Sequence, residues 1–228
     1  MAPKPNNRKA SERTRRYSSD LRRQQAEQTR QRIVAAAAEL FAAEGYARTT
    51  LAKIAAAAGV STETVASHGP KAALMVAAIE YATFGVSGAE SFLDLEMGRR
   101  FLDMDDFEDA LDYLVSNQTE LHERGAALSQ ALTGAAANDP ELNRYLNELN
   151  RGVATQNRQV VNVFRERGWL RDDLPVDEIV ATVVVLSGMD TFLRLTRLEG
   201  WSSHRYRSWL RRVLTETLEA LSAGTLSL

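Results

Sequence analysis

Apolar residues recur at helical spacing along almost the whole chain, and the places where that rhythm stops define the elements. Ile33, Ala37, Leu40 and Phe41 fall at i, i+4, i+7 and i+8, which predicts a first helix from about residue 23 to Glu44, closed by Gly45. Thr49 or Thr50 caps a second helix whose buried face is Leu51, Ile54, Ala55 and Ala58. Gly59-Val60-Ser61 then breaks the pattern, and a short third helix restarts at Thr62 and runs to about His68. Gly59 suits the left-handed residue that closes a helix, and Ser61 suits the cap that opens the next. Two short helices joined by so tight a turn must cross steeply, as in a helix-turn-helix. Gly69-Pro70 punctuates, and a fourth helix is predicted over Lys71–Phe84.

Beyond Gly88 the rhythm stays helical. An amphipathic segment covers Phe107–Gly125, and a separate Ala-rich piece covers Ala126–Ala137. Asp139-Pro140-Glu141 combines a cap, a proline at the first position and an acid in the first turn, so a helix should run from there to Arg167, stopped by Gly168. One more spans about Val176 to Glu199, and the last spans about Ser203 to Leu221, with Tyr206, Leu210, Val213, Leu214, Thr217 and Leu221 on one stripe. No strand alternation or hairpin signal interrupts this. The expected fold is all-α, an N-terminal three-helix helix-turn-helix domain followed by a C-terminal helical ligand-binding and dimerisation domain.

Charge sharpens the division. Residues 1–32 hold ten Lys/Arg against three acids, while the other 196 residues hold 18 against 27, so a net charge of −2 conceals a basic front and an acidic body. A basic arm directly ahead of a helix-turn-helix fits a polyanion partner; a solvated tail is the bland alternative. Residues 1–22, polar and without an apolar stripe, are expected to be a disordered basic arm. The DNA-binding domain then covers 23–87 and the effector-binding and dimerisation domain 88–228. The absence of cysteine removes disulfides, thiolate metal sites and cysteine nucleophiles. The first residues form no apolar signal segment, and no apolar run approaches a membrane span, so a cytoplasmic protein with no membrane partner is expected.

The residues Arg32-Ile33-Val34-Ala35-Ala36-Ala37-Ala38-Glu39-Leu40-Phe41, Gly45-Tyr46, Thr49-Thr50, Ile54-Ala55, Ala58-Gly59-Val60-Ser61, Thr64 and Lys71-Ala72-Ala73-Leu74 resemble the DNA-binding domain of TetR-type transcriptional regulators. The stretch Leu174–Leu221 looks like the C-terminal helix pair of such proteins. That resemblance implies a homodimer on a palindromic operator in double-stranded DNA, the third helix in the major groove, and release by a small-molecule effector of unknown identity. It implies a repressor; separately, no Gly-rich phosphate loop or nucleophile motif is present, so no enzyme, cofactor or metal is expected. One departure stands out. Thr64 lies seven positions before Lys71 where the family pattern has eight, and the usual aromatic pair is missing from Val65-Ala66-Ser67-His68-Gly69-Pro70. The simplest alignment drops a Tyr after Val65 and puts His68 where a Phe belongs. Losing one residue turns everything beyond it by about 100°. The competing reading is therefore a small-molecule-binding helical dimer with a degenerate DNA-binding head.

Candidate DNA contacts follow from position. Thr49 and Thr50 sit where a helix N-terminus can hold a phosphate, or serve only as caps. Ser61, Thr62, Glu63, Thr64 and Ser67 lie on the outward side of the third helix; Glu63 could accept from a cytosine amino group or simply favour the helix N-terminus. Lys71 is the expected phosphate contact, and His68 either meets a phosphate or fills the space of the missing aromatic. Arg15, Arg16, Arg22 and Arg23 could track the backbone or enter a minor groove.

For an effector pocket the bulky candidates are Phe84, Phe92, Phe107, Tyr113, Trp169, Met189 and Phe192, with Asn117, Gln118, His122 and Asn157 as polar anchors. The three histidines lie too far apart for a recognisable metal motif, and the acids of 103–112 lack the calcium-loop pattern and read better as a solvated helix start. Apolar surface on the last two long helices predicts a dimer interface of Val183, Val184, Ser187, Gly188, Leu210, Val213, Leu214 and Leu218.

Overall fold

The computed structural model describes the backbone of residues 7–84 and 92–219, with side chains of residues 23–82 and 92–219. Ten α-helices follow in order among these: α1 (Asn7–Glu44), α2 (Leu51–Ala58), α3 (Thr62–Ala66), α4 (Lys71–Phe84), α5 (Glu96–Leu102), α6 (Phe107–Ala136), α7 (Pro140–Glu166), α8 (Val176–Leu186), α9 (Met189–Leu193) and α10 (Ser203–Leu218). A 3-10 turn precedes α5, and a π turn at Arg194–Leu198 follows α9. There is no strand among the described residues, and the chain is all-α.

Four boundaries differ from the sequence reading. The backbone is helical from Asn7, where residues 1–22 were expected to be a disordered arm. Residues 6–44 contain neither proline nor glycine and are rich in Arg, Gln, Ala and Glu, so intrinsic propensity carries a helix that has no apolar face to bury there. Residues 107–136 form one helix rather than two, because Gly125 and Ala126 are both buried in its middle, where close packing offsets the roughly 1 kcal/mol that glycine costs a helix. Helix α3 ends at Ala66, two residues short of the expected His68. The helix expected over 176–199 breaks at Ser187-Gly188: the Ser187 hydroxyl donates to the Val183 carbonyl at 2.7 Å, and Gly188 is so tight against Val184 that a Cβ would lie 2.9 Å from its carbonyl oxygen. Leu221, expected on the last stripe, lies outside the described residues.

The side chains pack into two cores. Ile33, Phe41, Ile54, Val65 and Met75 of the head merge with Leu128, Leu132 and Ala136 of α6 and Leu142 of α7. Phe101, Leu111, Phe164, Ile179, Tyr206 and Leu210 centre the second core, in the body. Helices α6 and α7 therefore run through both.

Val176–Leu198 is, by length and composition, long and apolar enough to cross a membrane, contrary to the reading that no run approaches that length. The break at Ser187-Gly188 divides it, and Ile179, Val180 and Phe192 from it are buried in the second core.

Candidate DNA-binding head and ligand cavity

The turn of the head is built as its residues dictate. Thr50 caps α2, its hydroxyl accepting from the Lys53 N–H at 3.2 Å. Gly59 closes α2 with φ of 64°, a conformation that a side chain disfavours. Ser61 opens α3 by accepting from the Thr64 N–H at 3.1 Å, and its Oγ also lies 3.0 Å from Thr64 Oγ1. Arg32 reaches from α1 to bind the carbonyls of Ala58 and Gly59, the latter at 3.2 Å. That guanidinium satisfies the last carbonyls of α2 and ties the turn to α1.

The candidate DNA residues divide. Ser61, Thr62, Glu63, Ser67 and Thr50 are exposed on the α2–α3 face, and Thr64 is half-buried. Thr49 is fully buried, its hydroxyl donating to the Gly45 carbonyl at 2.9 Å, so it shapes the loop and faces away from any phosphate. His68 is half-buried, with Nδ1 2.8 Å from the Thr64 carbonyl, which makes it the group that closes the short α3. Lys71 donates to the Tyr46 carbonyl at 2.9 Å and stands 4.1 Å over the Tyr46 ring, bonds that hold the α1–α2 loop against α4. Arg23 is exposed on α1; the side chains of Arg15, Arg16 and Arg22 lie outside the described residues. Two basic residues escaped the sequence reading. Arg48 and Lys53 flank the α2 N-terminus, Arg48 held to the Glu44 carbonyl through Nε at 2.8 Å and Lys53 to the Glu44 carboxylate at 2.5 Å. Their nearness to Thr50 was the signal that could have found them.

Tyr46 also reaches the body. Its hydroxyl donates to Asp139 Oδ2 at 3.2 Å, while Oδ1 of the same carboxylate accepts from the Glu141 and Leu142 N–H groups and caps α7. Burial and the adjacent carboxylate push the Tyr46 phenol up to about 12.

Within the second core a cavity of about 170 Å³ opens between α6, α7, α8 and α10. Of the candidates, Phe92, Asn117, Gln118 and Asn157 line it. Phe107 and Trp169 instead pack edge-on against Phe164, each with ring centroids 5.6 Å away, and only Phe164 reaches the cavity. Tyr113 donates to the Met97 carbonyl at 3.2 Å, behind the wall that Met97 provides. Met189 packs on the second core and does not line the cavity; Phe84 ends α4, and its side chain lies outside the described residues. The Phe192 ring lies tilted, 5.3 Å from the His122 ring, and meets Tyr206 edge-on at 5.0 Å.

His122 is buried behind Gln118, whose Nε2 lies 2.8 Å from His122 Nε2 and 3.2 Å from the Ser187 carbonyl. The Gln118 amide has two N–H groups for these two acceptors, which leaves the proton of the neutral imidazole on Nδ1, where it has no partner. Burial pushes His122 down to about 4. Tyr206 Oη is likewise buried without a partner, and burial raises its phenol.

The expected dimer residues also divide. Val183, Ser187, Leu210, Leu214 and Leu218 are buried within the one chain and line the cavity. Val184, Gly188 and Val213 are half-buried, and Val185 is 66% exposed. Helix α8 is apolar on both sides, so periodicity could not separate its inward face from its outward one.

Three of the six acids of 103–112 make structural contacts. Asp106 caps α6, and Asp112 pairs with Arg207 of α10 at 3.1 Å, beside an ion pair of Glu108 with Arg211.

Residues 33–78 match the family model for bacterial regulatory proteins of the tetR family. Over those residues the head is similar to the DNA-binding domain of that family. The fold of the remainder agrees. A protein assigned to the TetR-family transcriptional regulators of Rhodococcus sp. superposes with TM-score 0.67 at 17% identity, over 85% of this chain and 100% of its own. SmeT in its complex with triclosan gives 0.65 at 20%, over 88% and 97%. NalD, the secondary repressor of the MexAB-OprM multidrug efflux pump in Pseudomonas aeruginosa, gives 0.63 at 20%, over 86% and 99%. Comparison with curated protein sequences finds no match. The chain thus has the TetR-type regulator fold, with a helix-turn-helix head on a helical body.

Proposed function

We propose that this chain is a ligand-responsive transcriptional repressor that binds a palindromic operator as a homodimer and is released when a small molecule fills the body cavity. The observation that carries this reading is the shared course of α7. Its Asn157 lines the cavity, and its cap Asp139 holds Tyr46 of the head. The relatives support it in kind, since one was solved with triclosan and another is described as a repressor.

The dimer face is the outward side of α8 and α10, with Val184, Val185, Gly188 and Val213. Only 28% of the most apolar window of Val176–Leu198 is buried inside one chain, which leaves apolar surface for a second copy. On DNA, Thr62, Glu63 and Ser67 face base edges, while Thr50, Arg48, Lys53 and the α1 arginines bind phosphate. The α3 helix has five residues and no Lys or Arg, so bidentate guanine contacts are missing from it and operator choice leans on half-site spacing and DNA shape.

That short α3 also favours a second reading, a ligand-binding dimer whose head no longer selects DNA. Selection of bound duplexes from random sequence with the full chain separates the two. An enriched inverted repeat is expected; recovery of no preferred sequence would establish the second reading in place of the first.

A further inference from the structure

Helix α1 is far longer than the head it belongs to. Ile33, Ala37 and Phe41 bury it in the head core, whereas residues 23–32 are exposed apart from half-buried Thr29. Its backbone continues as one helix to Asn7, so residues 7–32 overhang the head by about 39 Å at 1.5 Å per residue. The overhang begins at the helix-turn-helix itself. Arg32 binds the carbonyls of Ala58 and Gly59, just ahead of Ser61, the cap that opens α3.

Charge on the overhang keeps step with the helix. Basic pairs recur every seven residues, Arg8-Lys9, Arg15-Arg16 and Arg22-Arg23, and Arg30 stands seven beyond Arg23. Seven residues make two turns less about 20°, so these positions form one slowly winding stripe. Arg13, Glu12, Asp20 and Glu27 fall by register in the same half of the helix. Over 8–30 that half holds eight Lys/Arg against three acids, a net +5, and the opposite half holds no charged position. The same register leads the stripe into Ile33, Ala37 and Phe41, so the charged half is the side of α1 on which the head packs. Most of the uncharged half is Ser, Thr and Gln, which gives the helix no apolar face to enter a lipid surface. Length and charge fit a phosphate backbone instead. From Arg8 to Arg30 the stripe runs about 33 Å, close to the roughly 34 Å of one turn of B-DNA.

We propose that residues 7–32 act as a rigid basic rod that lies along the phosphates flanking each operator half-site and extends the contact by about one turn of DNA. This rests on the reading of the head as DNA-binding. The acidic body of the chain is the other polyanion within reach, but the rod starts beside α3, the helix that the proposed function sets in the groove. A flexible tail of equal charge would also attract DNA, yet its binding would not depend on which face of a helix its charges occupy.

Anisotropy titration of the full chain tests this, with the selected inverted repeat placed in duplexes whose flanks grow from none to two helical turns. Affinity is expected to rise by about tenfold or more as each flank reaches one turn, to rise no further beyond it, and to fall more steeply with salt on the longer duplexes. Two insertions separate rod from tail. Two alanines after Gln25 preserve helix and charge but turn most of the stripe by about 200°, and should abolish the gain. Seven alanines at the same place return it to within about 20°, and should keep the gain. A gain that survives the two-residue insertion belongs to a flexible tail and refutes the rod; loss in both variants refutes the register. No gain with flank length in the parent overturns the proposal while the head still binds DNA. Tighter binding once residues 1–22 are deleted does the same, since it would put the arm on the acidic body. Failure to bind any duplex overturns the functional reading, and the rod with it.

Discussion

His122 makes stability depend on pH in a way that one substitution should erase. Its imidazole is 4% exposed, with Gln118, Phe192 and Tyr206 around it, and burial is the cause that lowers it from 6.5 to about 4. Below pH 6.5 the unfolded chain takes up a proton that the folded chain refuses, so stability contributed by the neutral ring is complete above 6.5 and is lost as pH falls toward 4. Between those two values the linkage relation gives a loss of about 2 kcal/mol at pH 5 for each chain. His122→Leu removes the titration and also the unpartnered Nδ1–H, at the expense of one acceptor for Gln118, so its effect at pH 7.5 should stay within about 1 kcal/mol. Urea denaturation of both proteins at pH 7.5 and 5.0, at one protein concentration, measures the difference of differences; every other carboxylate and histidine cancels from it. The variant should gain about 2 kcal/mol on the parent as pH falls from 7.5 to 5.0. A parent and variant that lose stability in parallel would refute the buried neutral imidazole.

The bond between head and body predicts coupling: Tyr46→Phe and Asp139→Ala should each destabilise by about 1–2 kcal/mol, and the double variant by about 1 kcal/mol less than their sum, read in a urea double-mutant cycle. Val185→Glu places a charge on the exposed apolar end of α8; under the proposed function the parent sediments as a dimer at micromolar concentration and the variant as a monomer. Deleting residues 1–22 should weaken DNA binding and flatten the plot of log K against log salt by about 0.9 for each phosphate that the arm no longer neutralises. Inserting a Tyr between Val65 and Ala66 should tighten operator binding in a mobility-shift titration, by lengthening α3 and adding a hydroxyl near the phosphates; weaker binding would mark the short helix as adapted.

What the sequence made legible was local. Asp139-Pro140-Glu141 announced α7 because a cap, a proline and an acid act within one turn, and Gly59 with Ser61 announced the α2–α3 turn for the same reason. Gln118, Asn117 and Asn157 were read as facing the interior, and all three line the cavity. The failures were of direction and distance. Thr49 and Thr50 are adjacent hydroxyls, and only the path of the loop decides that one turns into the core. Lys71 meets Tyr46 across 25 positions, a pairing without a periodic trace. The outer and inner faces of α8 carry the same valines, so their assignment waited on where α10 lies. The first turns of α1 left no apolar stripe to read; their Arg, Gln, Ala and Glu favour a helix by intrinsic propensity alone.

The two cores explain why cavity and head should not act independently. At 1.5 Å per residue α6 and α7 are about 45 and 40 Å long, and a helix transmits displacement along its axis because its hydrogen bonds resist compression. Val115 and Gln118 of α6 stand at the cavity and Leu132 in the core of the head; Asn157 of α7 stands at the cavity and Leu142 in that same head core. A ligand that parts α6 from α7 at one end must therefore either bend them or shift their other ends. The second course moves Asp139 against Tyr46, and Tyr46 holds Lys71 at the start of α4, three residues after the α3 closure at His68. Under the proposed function the coupling is reciprocal, because binding free energies are linked in both directions. The operator should weaken ligand binding by the same factor by which the ligand weakens operator binding. Coupling factors that differ between the two directions would mean that the two sites were measured in different oligomers, which makes the comparison a test of the dimer as well.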